Sequence, residues 1–185
     1  MVAGVIGCST EGSYKASEQL TAPYITEAQT QKDNDDALAK RLNNVLNDQL
    51  KPSAIKVVVN DYYVLLVGQV ASNGDKLQAE TICKRWPGTK TVYNYLTIAT
   101  PPQIPSVNLT SSLSKDVMVK IKEKYDLNPD NISVTTVDGV VYLLGSNVGN
   151  LTTFNSVITS IYTLPKVTKV VNLERSGDLD YSTAN

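Results

Sequence analysis

The sequence predicts an α+β protein made of two tandem αββαβ units, each a three-stranded sheet with two helices on one face. Three observations lead there. Residues 55–68 read IKVVVNDYYVLLVG and residues 132–145 read ISVTTVDGVVYLLG, which align without a gap at an offset of 77. Each of these stretches is two apolar runs around an Asp-centred turn, and each is flanked on both sides by a segment of helical period. A short run rich in Val and Asn closes each copy, at residues 91–96 and 169–173.

The elements follow in order. Asn34, Asp35 and Asp36 place capping groups and negative charge at a helix start, and Leu38, Leu42, Val45, Leu46 and Leu50 mark its buried face until Pro52 stops it. The first hairpin turns at Asp61-Tyr62, where no glycine supplies positive φ, so a less regular hairpin is expected. The second turns at Asp138-Gly139, a strong two-residue hairpin signal. Helices over residues 74–86 and 150–164 follow the hairpins, with Leu77, Ala79, Ile82, Cys83 and Trp86 inward in one and Leu151, Phe154, Val157, Ile158, Ile161 and Tyr162 inward in the other. Pro87-Gly88 and Pro165 end them. The helix that opens the second copy is capped by residues 110–112 and carries Leu113, Val117, Ile121 and Tyr125 at four-residue intervals. The domain organisation is therefore a polar segment over 1–32, a first domain over 33–99, a Pro-rich linker over 100–106, a second domain over 107–175 and a polar tail over 176–185. Pro101, Pro102 and Pro105 make the linker a stiff spacer.

Composition narrows the function classes. The chain has 185 residues, with 17 basic against 18 acidic side chains, so the broad positive footprint of a non-specific nucleic-acid binder is missing. It has no histidine, which removes the commonest general base and the imidazole metal ligands. Two cysteines, Cys8 and Cys83, build neither a disulfide framework nor a Cys₄ zinc site. Cys83 falls on an apolar stripe without an activating His, so it reads as a buried structural thiol. Neither a phosphate loop nor a metal motif is present, and no cofactor is expected. The acidic cluster Asp33, Asp35 and Asp36 reads as a solvated helix start rather than a catalytic pair.

Val5-Ile6-Gly7-Cys8 is similar to a bacterial lipobox, and the Ser-, Thr- and Gln-rich stretch after it suits a tether; Cys8 is the candidate lipidation residue. A full signal peptide also needs a basic n-region and a longer apolar stretch. Stable anchoring by acyl chains needs at least two signals, which a triacylated N-terminus exceeds.

The αββαβ unit, the hairpin endings Val64-Leu65-Leu66-Val67-Gly68 and Val141-Tyr142-Leu143-Leu144-Gly145, and the Val92-Tyr93-Asn94 strand together resemble the BON domain. Two copies behind a lipobox are similar to the DolP-like group of outer-membrane lipoproteins. The resemblance implies a non-enzymatic protein on the periplasmic side of the outer membrane. It further implies contact with anionic phospholipid, made mainly by the first helix of the second copy, and a role in envelope integrity. Two departures stand out: Tyr62 replaces a hairpin glycine, and the start of that helix lacks the aromatic residue some members place there.

Charge patterning points to the same helix. Four of the fourteen residues over 111–124 are Lys. With Leu113, Val117 and Ile121 inward, Lys115, Val119 and Lys122 fall on the opposite side, and they are the candidate phospholipid-binding residues, the alternative being an ordinary solvated helix face whose charge Asp116 and Glu123 dilute. The competing expectation is a protein-interaction module, an accessory subunit of an envelope machine. The helix over 150–164 carries no charge, and its outward Thr, Ser and Asn face is open to packing on the first domain, on a second molecule or on nothing, with the domain contact the leading expectation.

Overall fold

The computed structural model describes residues 27–100, 103 and 105–175. The first unit comprises helix α1 (Glu27–Gln49), strands β1 (Ser53–Asn60) and β2 (Tyr63–Val70), helix α2 (Asn73–Lys84), and strands β3 (Thr91–Asn94) and β4 (Thr97–Ile98). The second comprises helix α3 (Ser111–Lys122), strands β5 (Ile132–Val137) and β6 (Val140–Gly145), helix α4 (Leu151–Ile161) and strand β7 (Lys169–Glu174). In each sheet the hairpin is antiparallel and the closing strand runs parallel to its second strand, giving the orders β1-β2-β3 and β5-β6-β7. The two αββαβ units thus form as the repeat predicts, with the small addition that β4 also pairs with β2.

Strand period sorts the side chains. Val64, Leu66 and Val70 of β2 join Ile55, Val57 and Val59 of β1 under Leu38, Leu42 and Leu46 of α1 and Ala79 and Cys83 of α2. Val141 and Leu143 of β6 do the same under Leu113, Val117 and Ile121 of α3 and Phe154, Val157 and Ile161 of α4. The alternate residues form a third core: Leu65 and Val67 pack with Val137, Tyr142, Leu144, Val171 and Leu173. The two sheets are therefore stacked face to face between the helix pairs. A strand apolar at every position must be covered on both faces, and here the cover for each sheet is the other sheet.

Polar contacts accompany this third core. Arg175 stacks on the Tyr63 ring with its guanidinium carbon 3.3 Å from the centroid, and its Nη2 donates to the Asn60 carbonyl at 3.4 Å. Tyr95 meets Tyr142 edge-on at 5.3 Å. The end of the linker is fastened to the first sheet, since Ser106 N–H donates to Gln69 Oε1 at 3.0 Å. The expected docking of α4 on the first domain does not occur: Thr152, Asn155, Ser156 and Thr159 are exposed, and the sheets make the domain contact instead.

The first hairpin is as regular as the second. Asn60 pairs with Tyr63 across a two-residue turn just as Val137 pairs with Val140, although Asp61 and Tyr62 sit at φ 50° and 62°. Asp35 explains how. Helix α1 extends to Glu27, so the acidic cluster lies inside the helix and not at its start. The buried Asp35 carboxylate accepts the Asp61 N–H at 2.7 Å and the Tyr62 N–H at 3.0 Å. A carboxylate that takes both turn donors holds a left-handed pair that glycine would otherwise supply.

The glycines that end both hairpins have a common steric cause. A Cβ on Gly68 would lie 2.1 Å from the Ala54 carbonyl oxygen, and one on Gly145 would lie 2.7 Å from that of Asn131. The neighbouring backbone, β1 in one case and the turn just before β5 in the other, comes too close for any side chain there.

Candidate functional site

Helix α3 starts at Ser111 after Thr110, which makes no side-chain capping bond. Its last turn holds Lys120 and Lys122, where the helix dipole favours positive charge. Leu113, Val117 and Ile121 are buried as predicted, which turns Lys115, Val119 and Lys122 together toward solvent. Val119 is 55% exposed. None of the three forms an ion pair or a side-chain hydrogen bond among the described residues. The exposed face of α3 is thus an apolar side chain between two solvated ammonium groups.

Tyr125 departs from its expected core position. Its side chain is fully exposed beyond the end of α3, and Leu127 fills the core instead. The four-residue spacing that would carry it inward fails because the helix ends at Lys122. The turn carrying Tyr125 is held against the start of α4, where the Asn150 N–H donates to the Asp126 carbonyl at 3.0 Å and Thr153 Oγ1 to the Asp126 carboxylate. Leu151, predicted inward, is 44% exposed at the start of α4. Leu77 and Tyr162, also expected inward, are exposed as well.

Other candidate groups have structural work. Asn94 of β3 donates to the Lys76 carbonyl and to Glu80, and its own Oδ1 accepts from Leu96 N–H, tying the closing strand to α2. The Lys84 ammonium, with Asn94 beside it, holds the Glu80 carboxyl below the usual carboxylate range. Cys83 is fully buried, and burial pushes its thiol up to about 12. A thiol raised in this way is neutral and inert near pH 7. Cys83 should therefore resist a thiol reagent in buffer and react quickly in denaturant; fast labelling of the folded protein would contradict its placement. The neutral thiol's contribution to stability is full below its unfolded-state pKa and is lost as pH rises toward 12, so alkaline titration should destabilise the fold.

Cys8 lies outside the described residues. No described helix is long and apolar enough to cross a membrane.

Two sheets of order 1-2-3, each backed by a helix pair and each closing its hairpin on an obligatory glycine, define the class. The family model for the BON domain matches residues 34–100 and 110–173, and the chain belongs to the BON-domain family. Among curated relatives, it is 28% identical over 148 residues to the outer membrane lipoprotein DolP of Haemophilus influenzae, covering 78% of this chain and 73% of that one. It is also 29% identical over 113 residues to an uncharacterised protein of Anaplasma centrale, covering 60% of this chain and 75% of the other. Against solved structures, CdsD, a structural protein of the type III secretion system of Chlamydia trachomatis, aligns over 76% of this chain and 62% of its own, at 14% identity and a TM-score of 0.30.

Proposed function

We propose that the protein is a non-enzymatic lipoprotein, anchored through Cys8 on the periplasmic side of the outer membrane, that binds anionic phospholipid through α3 and supports envelope integrity. The observation that carries the reading is the exposed face Lys115-Val119-Lys122, whose two ammonium groups are unpaired among the described residues and flank an apolar side chain. Kinship with an outer membrane lipoprotein supports the location. An ammonium group near an anionic surface contributes about 1 kcal/mol, and Val119 adds shallow apolar contact. Tyr125, fully exposed beyond the same helix, adds an amphipathic ring of the kind suited to a lipid–water boundary. The buried, neutral Cys83 supports a non-catalytic role.

Co-sedimentation with vesicles tests the reading. The unacylated chain should pellet with vesicles rich in anionic phospholipid and stay in solution with neutral ones. The bound fraction should fall steeply with salt, because exposed charges are screened over about 8 Å at physiological ionic strength. Equal binding to both vesicle types, or to neither, would defeat it. A second reading, a protein-interaction module, draws on a groove between the domains that shares only Lys122 with this face.

A further inference from the structure

A groove of about 820 Å³ lies between the two domains, lined by β1, β5, the first half of α1 and the Met118 and Lys122 end of α3. Both strands end the order of their sheets, although the outer edge of β5 is already bridged at its far end, where Leu109 lies opposite Val137. In an antiparallel pair every second residue turns its N–H and C=O away from its partner. The hairpin registers make these Ile55, Val57 and Val59 in β1, and Ile132, Val134 and Thr136 in β5. Several are already engaged. Asn47 bonds both groups of Ile55, Asn43 accepts from Val57 N–H, Ile132 N–H reaches the Pro129 carbonyl, and the Thr136 carbonyl accepts from Thr110 N–H. Val59 and Val134 remain as open main-chain positions, and both line the groove.

A second observation concerns a residue of the groove wall. Asn60 is only 9% exposed and lines the groove. Its Nδ2 donates to the Asn131 carbonyl and to Ser133 Oγ, both at 3.4 Å, which fixes the amide's orientation. Its Oδ1 is buried and has no donor among the described residues. A buried acceptor left unmatched is costly, and the ligand that satisfies it must bring an N–H or O–H. Charge adds a third constraint. Lys32, Lys56 and Lys122 line the groove without a carboxylate partner among the described residues. Of the groove's acids, Asp35 is committed to the hairpin turn and Asp61 is paired with Lys90 at 2.9 Å. Asp36 and Asp130 also line the groove, exposed like the three lysines, so the groove's unpaired charge favours an acidic ligand by one lysine and only locally, beside Lys56.

We propose that this groove binds an extended peptide segment of a partner protein. The segment runs extended past β5 and pairs with it at Val134, gives a main-chain N–H to Asn60 Oδ1, and carries acidic side chains toward Lys32 and Lys56. Alternating donors and acceptors at strand spacing are what a peptide main chain supplies, and pairing with an exposed sheet edge is an established mode of peptide capture. The groove uses residues apart from Lys115 and Val119, so it stands whether or not α3 meets lipid.

The test selects a random-peptide display library on the whole protein and counter-selects on the Lys32→Glu, Lys56→Glu double variant, which leaves the α3 face intact. Enriched peptides should carry acidic residues within β-prone stretches. Binding should weaken about tenfold or more in the double variant and in Asn60→Ala. On adding the best peptide, amide hydrogen exchange at Val134 should slow about tenfold or more, whereas a version with proline at alternate positions should not bind. Lack of any peptide that distinguishes parent from double variant would overturn the proposal. So would unchanged exchange at Val134, or protection of Val134 by anionic vesicles and by no peptide. Because the double variant keeps Lys115, Val119 and Lys122, its vesicle binding reports on the lipid reading separately.

Discussion

Leu144→Asp should separate the two sheets and cause a large fall in melting temperature. Leu144 is fully buried in the core shared by both domains. Even truncation of such a residue to Ala costs about 2–5 kcal/mol, and a buried unpaired carboxylate costs more. For a chain of this size each kcal/mol corresponds to roughly 2–4 °C, so the Ala variant alone should lose on the order of 5–15 °C. The effect is distinctive because each domain keeps its own helix-covered core, built on Leu66 in one and Leu143 in the other. Thermal unfolding should therefore change from one transition in the parent to two in Leu144→Asp, with small-angle scattering showing a more extended particle. A variant that stayed compact and unfolded in one step would contradict the stacked-sheet arrangement.

The second large effect is expected at Asp35. Asp35→Ala strips the acceptors from the Asp61 and Tyr62 N–H groups while both residues keep positive φ. Two charge-assisted bonds to a partly buried turn are lost, which should cost about 2–3 kcal/mol. Asp35→Asn keeps one acceptor oxygen and should fall between parent and Ala. Tyr62→Gly placed in the Asp35→Ala background should recover part of the loss, because glycine adopts the left-handed turn without strain. Chemical denaturation of the four proteins measures this directly. If Asp35→Ala were as stable as the parent, the carboxylate would not be what holds the turn.

These two sites show where the sequence was legible and where it was not. The repeat, the hairpins and the inward stripe of α3 could be read because each is a local pattern of period two or near four. The stacking of the sheets was also present locally, in the unbroken apolar runs Val64-Leu65-Leu66-Val67 and Leu143-Leu144. Reading those runs as one buried layer left half of their side chains without a cover. Asp35 was different in kind. Its partners are 26 and 27 residues away, and no helix-start argument contains them. Tyr125 was misplaced because spacing alone does not say where a helix stops, and Leu127 two residues on competed for the same core position. The basic face of α3 was found because the inward stripe fixes what must point outward. The groove was not, since it exists only once β1 and β5 are brought side by side.

Charge reversal on α3 tests the proposed function most directly. A Lys115→Glu, Lys122→Glu double variant replaces two attractions by two repulsions at exposed positions, so it should leave the melting temperature nearly unchanged. A matched Lys76→Glu, Lys84→Glu variant in the first domain serves as the control. In co-sedimentation with anionic vesicles, the α3 variant should stay in the supernatant while the control pellets close to the parent. Equal pelleting of the α3 variant and the parent would contradict phospholipid binding through α3 and leave the groove between the domains as the better candidate for the protein's binding surface.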